Sequence, residues 1–178
     1  MDNQLTSLTF VSAIPLGEIA ARFGLSILLA SAIGIDRELR SKAAGLRTHI
    51  LVALAATMFT LVTFELFVEL QDDSPNPNLD AIRIIEAVTA GVAFLAAGAI
   101  IQSRGGVRGL TTGASMWMAG AIGVASGAGM FVIAILGTVL AVAVLTLLGW
   151  LEAKLINSKT DKAVAGDDTS RDPAAPPS

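Results

Sequence analysis

The residues best equipped for chemistry gather in one stretch, Gly34-Ile35-Asp36-Arg37-Glu38 followed by Ala44-Gly45-Leu46-Arg47-Thr48-His49. It brings two carboxylates, the guanidinia of Arg37, Arg40 and Arg47, and the chain's only histidine close together. Acids near the C-terminal end of a helix oppose its dipole, whereas Arg37 and Arg40 suit that position. Thr48 can cap the start of the following helix, with Arg47 just outside it and His49 just inside. Two readings stay open from these residues. One is an anchor at the water–lipid interface. The other is a cytoplasmic mouth in which Asp36 or Glu38 meets a cation and His49 senses pH.

A second stretch, Gly105-Gly106-Val107-Arg108-Gly109-Leu110-Thr111-Thr112-Gly113, has similar basic and small residues but no acid. A glycine-rich turn feeding a helix N-terminus can hold an anion. A plain turn capped by Thr111 or Thr112 is the simpler expectation. It is not a P-loop, because the spacing and the Lys-Ser/Thr pair are missing. Further along the spans, Glu18 and Arg22 stand at i,i+4 and Arg83 and Glu86 at i,i+3, spacings that place each pair on one helix face. Local ion pairing and an external ion-access site both fit Arg83 and Glu86. Glu65 and Glu69 mark a water interface. Gly91, Ala97, Gly98, Gly113, Gly120 and Gly123 would let helix backbones approach closely.

These residues must be positioned by very apolar elements. Of the 178 residues, 53% are hydrophobic and 15% charged, with a mean hydropathy of +0.70. A soluble domain carries about 25% charged residues. The apolar residues also run continuously over the ~20 positions that a helix needs to cross hydrocarbon. We read spans over 18–35, 48–70, 82–101, 110–126 and 130–150, the last two parted only by Gly127, Ala128 and Gly129. The fold class is therefore all-α, a polytopic bundle of five transmembrane helices. Ten of the twelve Lys and Arg residues fall after spans one, three and five, and the segment 71–79 has Asp72 and Asp73 but no base. The positive-inside rule then puts the N-terminus outside and the C-terminus in the cytoplasm.

Residues 1–17 contain no Lys or Arg, so the first span is expected to be retained rather than cleaved. Residues 153–178, rich in Asp, Ala, Pro and Ser towards the end, are expected to be a disordered tail. Pro75 and Pro77 should stop the second span. Shifting the chain by 64 residues lays Gly34, Arg40, Gly45, Leu46 and Thr48 on Gly98, Arg104, Gly109, Leu110 and Thr112. Spans one and two are accordingly expected to be repeated in parallel as spans three and four, with span five added. Cysteine is absent, which excludes disulfides, thiolate metal sites and cysteine nucleophiles. No nucleophile–base pair or metal-ligand cluster is evident, so neither an enzyme nor a cofactor is expected.

Together the two stretches resemble the MgtC/SapB family of bacterial inner-membrane proteins. The resemblance rests on Ile33 to Glu38 with Ala44 to His49, and on Arg83, Gly91 to Gly98, Val107 to Thr112, Trp117 and Ala121 to Gly123. The chain departs where Ala93 and Ala96 stand near positions that are usually glycine in the family. Longer members carry a cytoplasmic regulatory domain after the last span. The resemblance implies a bacterial cytoplasmic-membrane protein tied to growth under magnesium limitation and, in some members, to survival inside host cells. Restraint of the F-type ATP synthase is one implied route. The expected function is thus a regulator acting on other membrane proteins. A small ion or solute permease using Asp36, Glu38, His49, Arg83 and Glu86 is the alternative. The expected partners are the lipid bilayer, other membrane proteins and further copies of the chain, joined through the small-residue faces of spans three and four. No nucleic acid is expected among them.

Overall fold

The computed structural model describes residues 12–73, 82–101 and 109–167. They form five helices: α1 (Leu16–Leu39), α2 (Leu46–Asp73), α3 (Ile82–Ile101), α4 (Leu110–Gly127) and α5 (Phe131–Asp167). The helix order and positions follow the apolar runs. The expected N-terminal segment lies outside the described residues up to position 11, as do Pro75 and Pro77. Contacts divide the chain into two units inside α5, the first ending at Val142 and the second beginning at Ala143.

Four helices have the length and apolarity to cross a membrane: Leu16–Leu39, Leu46–Val68, Ile82–Ile100 and Phe131–Leu151. Their outward faces carry exposed Leu28, Phe59, Phe94 and Leu140. Apolar cover on this scale belongs against lipid, since a water-soluble surface keeps its apolar patches small. The fifth, α4, is less apolar for a physical reason. It lies inside the bundle, packed against α1, α2 and α3, and its buried residues include Thr112, Ser115, Ser126 and four glycines. A helix screened from lipid by its neighbours does not need an apolar surface of its own.

Small residues set how closely α4 packs. A β-carbon at Gly123 would lie 2.3 Å from the Ala53 carbonyl oxygen, and one at Gly127 would lie 2.9 Å from the Thr57 carbonyl oxygen. This Gly-xxx-Gly face therefore meets the backbone of α2. Neighbouring positions on the same side of α4 meet α3, where β-carbons at Gly113 and Gly120 would press on Ala96 and Val92. Gly113 and Gly120 of span four are thus occupied by α3 within one chain, while Gly91 and Gly98 of span three meet nothing within 4 Å.

Between α1, α2 and α4 lies a buried polar seam. The Thr57 hydroxyl is 2.8 Å from Ser26 Oγ, 2.9 Å from the Ala53 carbonyl and 3.0 Å from the Gly123 carbonyl. Its one proton satisfies one acceptor at a time. Thr60 returns its hydroxyl to the Ala56 carbonyl at 2.8 Å. In hydrocarbon, where apolar burial gives helices little reason to associate, such bonds and close packing hold the bundle together.

α1 ends in a tight cap. The N–H of Lys42 reaches the Arg37 carbonyl at 3.0 Å and that of Ser41 reaches the Glu38 carbonyl at 2.9 Å. Ser41 takes φ +51° to do so, a position usually held by glycine. The shifted repeat is matched only partly in space. Both hairpins pack closely, but a β-carbon at Gly34 would lie 2.7 Å from Leu46 Cα, while one at Gly98 meets nothing within 4 Å.

The second unit consists of the remainder of α5. Within it, Lys154 Nζ lies 5.1 Å from the centroid of the Trp150 ring. The helix continues to Asp167, past the residue 152 boundary that the sequence suggested, because no glycine or proline interrupts it before Gly166. Residues 168–178 lie outside the described residues.

Gly123→Ala should lower the unfolding temperature in detergent, since extra volume in a packed core costs about 1–3 kcal/mol. Gly24→Ala, where a β-carbon meets nothing within 4 Å, should leave it unchanged or raised. Equal behaviour of the two variants would contradict the packing described for α4.

Candidate functional site

The first chemical stretch folds into the corner where α1 ends and α2 begins. Arg37 is buried, and its guanidinium is held by Asp36, with Nε 2.9 Å from Oδ2 and Nη2 also in contact with that oxygen. Arg40 Nε donates to the other oxygen, Oδ1, at 2.8 Å. Asp36 is therefore the counter-ion of two arginines, one of them shielded from solvent. This resolves the apparent mismatch of an acid with the negative end of α1, since its charge is neutralised locally by bases that favour that end.

Glu38 bridges the corner. Its Oε2 accepts the N–H of Leu46, the first residue of α2, at 3.0 Å. An anion here answers both the unpaired N–H groups and the positive end of the helix dipole. A β-carbon at Gly45 would lie 1.7 Å from that same oxygen, so the missing side chain leaves the space into which Glu38 fits. Thr48 was the expected cap. Instead α2 begins two residues earlier, at Leu46, leaving Thr48 within the first turn while the carboxylate from the preceding helix caps it. Arg47 is exposed.

His49 is fully buried and ties α2 to α4. Nδ1 lies 2.7 Å from the Gly45 carbonyl oxygen, and Nε2 lies 2.9 Å from Ser115 Oγ. A carbonyl can only accept, so the proton sits on Nδ1. Ser115 Oγ is also 2.9 Å from the Thr112 carbonyl. With neutral imidazole the serine proton goes to Nε2; with imidazolium it turns to Thr112. Ser115 was not singled out from the sequence. The signal available was Thr112 and Ser115, two polar residues three apart in an apolar helix.

The second stretch enters the structure only from Gly109, and Arg108 lies outside the described residues. Gly109 has φ +89° and precedes α4 with no side-chain cap. Neither threonine caps the helix as expected. Thr112 is buried, Thr111 and Leu110 are exposed, and glycine is needed at 109 because the turn brings it against the Ala99 carbonyl.

The pairs at the other end of the bundle differ from one another. Arg22 is joined to Glu18 and donates from Nη1 to the Gly127 carbonyl at 2.6 Å, placing a cation on the negative end of α4. Glu65 accepts N–H bonds from Ala13 at 2.8 Å and Ile14 at 3.1 Å, fastening the segment before α1. Arg83 and Glu86 are both exposed, and no ion pair joins them among the described residues. Of the two readings open for this pair, local ion pairing is absent among the described residues.

Among the described residues, no group of three or more His, Asp or Glu side chains stands together as a metal site. The geometry shows charged and polar groups bonding helix ends to one another, with most of their bonding capacity used inside the chain.

Residues 23–154 match the sequence model of the MgtC family. A putative magnesium transporter, YhiD, from Escherichia coli strain K12 is 36% identical over 140 residues, covering 79% of this chain and 65% of that protein. Protein MgtC from Brucella abortus strain 2308 is 38% identical over 134 residues, covering 75% of this chain and 52% of that protein. The chain thus spans between about half and two thirds of the length of these relatives. No solved structure matches it.

Asp36→Ala should destabilise the protein strongly, because stranding the buried Arg37 charge costs about 3–5 kcal/mol. For His49→Ala and Ser115→Ala, a thermal double-mutant cycle should show coupling of about 1 kcal/mol. Strict additivity would remove the proposed tie between α2 and α4.

Proposed function

The chain belongs to the MgtC family, and from that premise we propose that it is a regulator in the bacterial cytoplasmic membrane, acting by contact with other membrane proteins. The observation that carries this reading is the use of the family-like polar residues as structural ties. Asp36 holds Arg37 and Arg40, Glu38 caps α2, and His49 binds Ser115. Their roles within the fold favour a rigid bundle that presents surfaces to partners over one that lines a polar pathway. Adaptation to magnesium limitation, with restraint of the F-type ATP synthase as a route, is the process this regulator serves. Homo-oligomers fit the same reading if they form through exposed helix faces, since Gly113 and Gly120 are engaged inside the chain.

The alternative is a small ion permease, favoured by the naming of the Escherichia coli relative YhiD as a putative magnesium transporter. It would use exposed Arg83 and Glu86 at one end of the bundle and the Asp36 corner at the other. Five crossings with the N-terminus outside and the C-terminus in the cytoplasm complete the proposal, supported by the loop charges.

Purified protein in sealed liposomes tests the choice. The regulator should pass no magnesium, protons or monovalent ions under an imposed gradient, and should slow ATP-driven proton pumping when co-reconstituted with F-type ATP synthase. Ion flux that Glu86→Gln abolishes, with pumping unaffected, would replace the regulator with the permease. Because the chain has no cysteine, single cysteines also report topology. A cysteine at Ala43 should react only with reagent reaching the cytoplasmic side, and one at Ala13 only from outside.

A further inference from the structure

α2 and α3 meet closely at few points, and between them runs an open groove of about 750 Å³. Its walls include Val52, Phe59 and Thr63 from α2 and Val88, Gly91 and Leu95 from α3. The helices are antiparallel, so Thr63 lies towards the same end as Arg83, and Val52 towards the same end as Leu95. The groove is therefore polar at one end and apolar for the rest of its length. Thr63 spends its hydroxyl on the Phe59 carbonyl at 2.9 Å. That leaves Arg83 as the group able to bind something new, and among the described residues it makes no ion pair. Gly91 keeps the floor open, since a β-carbon there would meet nothing within 4 Å.

From Arg83 to Leu95 the groove covers twelve residues, or ~18 Å at 1.5 Å per residue. One leaflet of the hydrocarbon core is ~15 Å deep. A cation at the interface, followed by an apolar channel one leaflet long, repeats the pattern of a phospholipid: a charged phosphate above an acyl chain. The planar guanidinium offers paired N–H donors that match phosphate oxygens.

We propose that the groove between α2 and α3 is a binding site for one phospholipid of the leaflet on the Arg83 side, its phosphate on the Arg83 guanidinium and an acyl chain along Phe59, Val88 and Gly91. The charge complementarity favours this occupant over a helix from a second copy, which would set apolar side chains beside the arginine. Glu86 does not line the groove and serves as the control position.

Native mass spectrometry tests this on the full chain released from nanodiscs of phosphatidylethanolamine and phosphatidylglycerol. The wild type should retain one phospholipid per chain. Arg83→Ala should lower the retained fraction by about tenfold, the loss expected for charge-assisted bonds, and Arg83→Lys should restore part of it. Gly91→Leu should empty the groove by filling it, with Arg83 intact, so the test survives if Arg83→Ala fails to fold. Glu86→Ala should leave the lipid in place. A wild type without bound lipid, Arg83→Ala and Gly91→Leu variants that both retain lipid as well as the wild type does, or a dimer mass in place of the lipid adduct would each overturn the assignment.

Discussion

A β-carbon at position 123 would sit 2.3 Å from the Ala53 carbonyl oxygen, and one at position 127 would crowd Thr57 and Thr60. The missing side chains at these two positions let α4 lie directly on α2, and most of the bundle is arranged around that contact. In lipid, burying a leucine gains little because the surrounding hydrocarbon is as apolar as the interior. What remains is short-range: dispersion between closely fitted backbones, and hydrogen bonds such as those of Thr57 that need a partner within 3 Å. Both fall away quickly with distance. The α2–α4 approach therefore sets whether His49 can reach Ser115.

The charges follow a second rule, that ions in a membrane protein belong at helix ends and in compensated sets. Asp36 neutralises a buried arginine, Glu38 caps the helix that follows it, and Arg22 sits on the carbonyl end of α4. In each case the helix dipole supplies part of the attraction. Removing any one would strand a partner in a medium that solvates charge poorly. Asp36, Glu38 and Arg22 are, in space, residues that tie helix ends together.

The helices were legible because lipid imposes a simple length requirement. Apolar runs over 82–101 and 110–126 became α3 and α4 almost residue for residue. The ends of α1, α2 and α5 were less legible. α1 runs on through Asp36, Arg37 and Glu38 because these residues pair with one another or with the next helix, an outcome hydropathy does not encode. Thr48 looked like a cap by its local position, but the carboxylate eight residues before Leu46 took that role, and only the folded corner brings it there. α5 passes its expected limit because helix propensity persists after apolarity stops.

What the sequence by itself determined is the class of molecule: apolar runs of spanning length, basic loops alternating with uncharged or acidic ones, and two recurring motifs that place the chain in its family. These depend on composition and order along the chain, which a sequence states directly. The tertiary structure decided which polar residues are partners. His49 and Ser115 are 66 positions apart, and Glu18, Arg22 and Gly127 come together from two helices. It also decided that Arg83 and Glu86, at a spacing suited to pairing, stay unjoined while Arg83 faces a groove. Such pairings depend on which faces of two helices meet and at what depth, and that is a property of the packed bundle.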